Sequence, residues 1–136
     1  MRKLGFLGLA AVLLGAWLWW NGDERAPVPS GAPLVTVSLP ALDAVQERGR
    51  AAFETYCASC HGANAAGQAG TAPPLIHPIY EPGHHGDLAF LRAAEQGAPA
   101  HHWPFGDMPA VKGISEVEIA EIIAYIRALQ RANGIH

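Results

Sequence analysis

The sequence predicts an all-α domain behind an apolar N-terminal segment. Apolar residues recur at helical spacing in three separate stretches. Two of those stretches open on residues that resemble reciprocal capping boxes. The segments between them are rich in Gly and Pro, 15 and 11 of 136 residues, which marks long irregular loops. No convincing parallel sheet lies between the helical stretches.

The N-terminus comes first. Arg2 and Lys3 precede an uncharged run from Leu4 to Trp20, and Asp23 and Glu24 follow it. Cations before the run and acids after it place the N-terminus in the cytoplasm and the remainder across the membrane. At 1.5 Å per residue the run covers about 25 Å, enough for a thin bilayer. A cleaved signal would need small residues just after it, where Trp17, Trp19 and Trp20 stand instead. Residues 1–21 are therefore read as a retained signal anchor in preference to a cleaved signal peptide. Residues 22–40 contain Pro27, Pro29, Pro33 and Pro40 and read as an extended tether, although the alternation of Val35, Val37 and Leu39 also fits a short strand or a packed extended segment.

The domain is expected over 41–136. A first helix is predicted over 43–58, with Asp43 and Gln46 at its start and Val45, Gly49, Ala52, Phe53 and Tyr56 along one side. Residues 62–86 read as structureless. A second helix fits 88–96, capped by Asp87 and stopped by Gly97. Another loop covers 97–114. The last helix begins at the Ser115 to Glu118 box, presents Ile119, Ile122, Ile123, Ile126 and Leu129 on one face, and ends by Gly134. Three short helices enclosing two long loops make a small core. Loops of that length need something else to order them, and a large apolar cofactor at the centre would do so.

Charge and cysteine content narrow the function. Charged residues are 15% of the chain, below the ~25% of an average globular protein. Acids outnumber Lys and Arg, 12 to 9, and no basic run follows Lys3, so nucleic-acid binding is not expected. The two cysteines exclude a disulfide-stapled miniprotein.

Both cysteines lie in Cys57-Ala58-Ser59-Cys60-His61, a C-x-x-C-H motif for covalent haem attachment. On one helical turn the two thiols face the same side and can form thioethers with the porphyrin vinyl groups. The adjacent His61 then binds iron through its imidazole. A thioredoxin-type motif would need a preceding strand, and a zinc site would need paired ligand spacing; neither context is present.

These residues resemble the class I cytochrome c family, over roughly 43–133. Gly49 and Phe53 match the first-helix face that crosses the last helix, and Ile122-Ile123-Ala124-Tyr125-Ile126 is similar to its partner. The resemblance implies a cytochrome c fold around one haem c. It also implies that the Pro73 carbonyl accepts the Nδ1 proton of His61 and that Leu75 lies beside the cofactor. Phe105-Gly106-Asp107-Met108-Pro109 resembles the family's axial-methionine loop, which makes Met108 the expected sixth ligand. Met108 is the only methionine besides Met1. The rival ligands are His77, His84, His85, His101 and His102, and bis-His ligation would lower the potential. The adjacent pairs His84-His85 and His101-His102 depart from the ordinary family pattern. They bond haem propionates, cap loops, or hold a second metal such as copper. Trp103 and Phe105 are expected to wall the haem pocket.

A haem with both axial positions filled favours electron transfer over catalysis. The chain is thus expected to be a monomeric, membrane-tethered single-electron carrier and not an enzyme. Its haem domain would lie on the periplasmic side of the inner membrane, in a respiratory or photosynthetic chain. Partners would be membrane complexes such as a quinol-oxidising complex, a terminal oxidase or another dehydrogenase. The alternatives are a haem-based sensor or peroxidase-like subunit in which Met108 detaches, and a copper-handling protein that uses the histidine pairs.

Overall fold

The computed structural model describes residues 31–136. The expected anchor over 1–21 and the first part of the expected tether lie outside them. Among the described residues no helix is long and apolar enough to cross a membrane.

The fold is all-helical, with no strand among the described residues beyond two isolated bridges. Its principal packed pair is α1 (Ala44–Tyr56) with the last helix, α4 (Glu116–Ala132). Each begins as its residues predict. The Asp43 carboxylate accepts from the Gln46 amide, and the Gln46 side chain accepts from the Asp43 amide. Ser115 and Glu118 do the same for α4. The two helices meet at Gly49, where a Cβ would lie 1.9 Å from the Glu121 carbonyl oxygen. No side chain fits there, so this position decides how closely the helices approach. Phe53, Ile122, Ile126 and Leu129 fill the seam, and Phe53 packs tilted against Tyr125 at 5.7 Å between ring centres. Val45, expected on the inner side of α1, is 44% exposed, because the register that buries Gly49 and Phe53 turns it outward.

The predicted first helix does not run unbroken to 58. It ends at Tyr56, and a separate turn, α2 (Ala58–His61), follows. The stretch expected to be structureless contains two 3-10 turns, Ala63–Ala65 and Pro78–Tyr80. Helix α3 (Asp87–Gln96) starts at its predicted place with a different cap. Gly86 is the N-cap and supplies no side chain. The Asp87 carboxylate is instead taken by Arg127 Nε at 2.9 Å. Its charge still lies in the first turn, where the helix dipole favours an acid.

Residues 31–40, expected as the end of a free tether, dock on the domain. The Leu34 and Val35 amides donate to the Ala66 carbonyl, and Ser38 exchanges two hydrogen bonds with the Asn133 side chain. Val35, Val37 and Leu42 pack against the core, whereas Leu39 is exposed. These residues thus follow the packed extended alternative, without forming a strand. Burying valines outweighs the freedom a solvated linker would keep.

Candidate functional site

The break after α1 creates the site. The Cys57 amide still caps α1 through the Phe53 carbonyl at 2.8 Å, while the Cys57 carbonyl accepts from the Cys60 and His61 amides at 3.1 and 2.9 Å. One turn therefore places Cys57, Cys60 and His61 along the same cleft. That cleft has a volume of about 580 Å³, and Met108 also lines it. The volume lies within the range of cofactor pockets.

His61 is buried, and its Nδ1 donates to the Pro73 carbonyl at 2.9 Å. The bond expected from the resemblance is thus present. It leaves Nε2 as the nitrogen available to a metal. Burial holds the His61 pKa below the usual histidine range, with the Pro73 bond acting in the opposite direction. The ring is therefore neutral near pH 7, as a ligand must be. Burial, followed by the neighbouring Cys60, pushes the Cys57 thiol up to about 11. Cys60 is exposed, so the two thiols occupy the inner and outer parts of the turn.

Met108 reaches the cleft on a loop fixed by its own backbone. Its amide and carbonyl each bond to Ala98, at 2.8 and 2.9 Å. The preceding Gly97 makes this possible. Its φ of +80° and ψ of 175° belong to a region essentially reserved for glycine, and a Cβ there would lie 2.6 Å from the Met108 carbonyl oxygen. The Asp107 carboxylate accepts from the Ala100 amide at 2.8 Å and closes the loop.

Trp103 and Phe105 line the cleft as expected, their rings stacked at 6.1 Å. Trp103 Nε1 is buried without a hydrogen-bond acceptor; it lies near the Tyr80 hydroxyl, whose pKa burial raises and Trp103 lowers in part. Such an orphaned donor costs about 1–3 kcal/mol unless something accepts from it. A carboxylate-bearing porphyrin would offer acceptors, and Arg92 on α3 adds a cation to the same cleft. Two thiols, a carbonyl-oriented imidazole and a thioether around one largely apolar cleft fit covalently attached haem. Leu75 sits deeper than the cleft-lining side chains. It is not among the cleft-lining residues but is buried in the core beside Phe53, its carbonyl accepting from Gln130 Nε2 at 3.0 Å.

The loops that looked unsupported are held by two polar residues of α4 that the sequence reading passed over. Arg127 and Gln130 are buried. Arg127 donates to the carbonyls of Tyr80 and His85 and to Gln130 Oε1, and Gln130 donates to the carbonyls of Leu75 and Tyr80. The only available signal was their place on the apolar side of α4.

The histidine pairs converge. His84 Nε2 and His102 Nε2 stand 3.4 Å apart. His85 Nδ1 donates to the Ile79 carbonyl at 2.6 Å and His101 Nδ1 to the Pro99 carbonyl at 2.7 Å. Partial desolvation, then the neighbouring imidazoles of His101, His85 and His84, hold the His102 pKa below its usual range. His77 is spent on a turn, accepting from the Ile79 amide.

A family profile described as Cytochrome c matches residues 46–130. No curated protein matches the chain. The matched span contains both attachment cysteines, His61, Pro73 and Met108, and it covers more than half of the sequence. The chain belongs to the cytochrome c family, and its cofactor is covalently bound haem c.

Proposed function

We propose that this electron-carrier haem protein shuttles single electrons between membrane complexes on the periplasmic side of the inner membrane, tethered there by residues 1–21, and that it is not an enzyme. One observation carries the reading: Met108 is held toward the His61 cleft by paired backbone bonds to Ala98. Haem c supplies one-electron iron chemistry when bound. His61 offers Nε2 because Pro73 holds its other nitrogen, an arrangement that orients the ring and raises its basicity. Met108 offers a thioether, which favours a higher potential than a second imidazole would. With His61 and Met108 both holding the iron, oxygen and peroxide would find no free position. Tyr80, Trp103 and Phe105 line the cleft and limit its water.

Acids outnumber cations, 12 to 9, so a strongly basic docking ring is not part of the design. Neutral, basic or apolar partner surfaces suit it better. The apolar run from Leu4 to Trp20, with Arg2 and Lys3 before it, supports the tether, which would raise the effective concentration at membrane partners. Replacing Met108 by Ala is expected to lower the midpoint potential and abolish the sulfur-to-iron charge-transfer band. Spectroelectrochemical titration measures both, and an unchanged spectrum would refute the assignment. Rapid carbon monoxide binding by the reduced native protein would favour the sensor reading instead, and recovery of the native protein in the soluble fraction would remove the tether.

A further inference from the structure

We infer that His84, His85 and His102 form a second metal site, at the edge of the haem cleft, for a late first-row transition-metal dication of the zinc–copper class. One ligand nitrogen from each of the three residues lies within 4.8 Å of the others. Two nitrogens bound to a tetrahedral zinc ion at ~2.0–2.1 Å stand about 3.4 Å apart. His84 Nε2 and His102 Nε2 already have that separation, 3.4 Å.

The orientation of the rings agrees with the spacing. A metal-binding histidine ordinarily donates its other ring N–H to a carbonyl or carboxylate. His85 does so to Ile79, and the bond leaves its Nε2 free. His101 has the same arrangement through Pro99 and lies against His102 at 4.1 Å between ring centres, outside the group of three. The donor set is imidazole alone, which suits zinc and copper and does not suit calcium or magnesium, whose ligands are oxygens.

The two halves of the site come from different parts of the chain. His84 and His85 precede α3, whereas His101 and His102 belong to the loop that continues to Met108. The cluster thus bridges the two sides of the cleft, and His85, His101 and His102 line it. The ordinary alternative, a single hydrogen bond shared by His84 and His102, accounts for their spacing but not for the free Nε2 atoms of His85 and His101.

The test uses tag-free holoprotein titrated with Zn²⁺ in a calorimeter. One equivalent is expected to bind. His84→Gln combined with His102→Gln should weaken binding by roughly 100-fold or more, since losing an outer partner alone costs about 10–100-fold. His136→Gln, outside the cluster, should bind as the parent does. The haem absorption spectrum verifies that each variant is folded. Cu²⁺-loaded protein provides a second measurement, in which electron paramagnetic resonance should show nitrogen couplings from three imidazoles. Absence of stoichiometric Zn²⁺ binding, undiminished affinity in the double variant, or couplings from two imidazoles or fewer would each overturn the site.

Discussion

The two walls of the cleft are built by different means. The wall that carries His61 is secured from beneath by α4: Gln130 and Arg127 hold the carbonyls of Leu75, Tyr80 and His85, and Pro73 holds His61 itself. The wall that carries Met108 has no comparable support. Its fixed points are the Ala98 pair, the Asp107 bond to Ala100 and the Val111 amide on Ala94, and His101, His102, Gly106 and Asp107 are exposed. The first wall is part of the protein core. The second is a loop closed on itself, and its order depends more on what occupies the cleft.

The largest effect is expected from Gly97→Ala. A Cβ would oppose the Met108 carbonyl at 2.6 Å in a backbone region that only glycine occupies comfortably. The cost should be about 3 kcal/mol or more, with loss of the sulfur-to-iron band. Thermal denaturation and visible absorption measure the two, and a retained band would mean that Met108 is held by something other than Ala98. Next is Arg127→Ala, which strips hydrogen bonds from the opposite wall. The Asp87 carboxylate is largely exposed, so little of the loss comes from the ion pair. Uncovering buried carbonyls should cost about 2–3 kcal/mol. The methionine band should persist, and its disappearance would show that the walls are not independent.

The smallest effect concerns a site outside both walls. Hydrogen bonds from Ser115 hold the Glu118 carboxylate below its usual pKa range. A depressed carboxylate adds stability above its ordinary pKa, and that share is lost as pH falls through the folded value. Glu118→Gln should therefore remove a slight acid-side loss of thermal stability without altering the haem spectrum. An identical pH profile in parent and variant would contradict this.

The same contrast governs what was legible in the sequence. Helices α1 and α4 were readable because their signals are local: Asp43 with Gln46, Ser115 with Glu118, and isoleucines at helical spacing. The C-x-x-C-H turn was readable for the same reason, and the Pro73 bond to His61 and the place of Met108 at the cleft followed from family resemblance. What escaped was side chain meeting backbone at long range. Arg127 and Gln130 stand on the apolar side of their helix, but the carbonyls they hold leave no mark in sequence. The Ala98–Met108 bridge is likewise silent, since alanine reveals nothing of its amide. The histidine pairs were visible, but only folding brings His84 against His102. Leu75 was likewise visible as a residue near the motif, but its place in the core beside Phe53 is set only by folding.

Because Arg127 fastens Tyr80 and His85 directly to the C-terminal helix, that stretch has little means of opening on its own. Its own backbone bonds are confined to the turn at Pro78–Tyr80 and to the His84 and His85 amides on the Glu81 carbonyl. Tyr80 and His85 should stay in place until α4 itself lets go, so that their locally bonded amides exchange with deuterium more slowly than those of the exposed residues between them. Two positions in a loop would then take their protection from a helix distant in sequence.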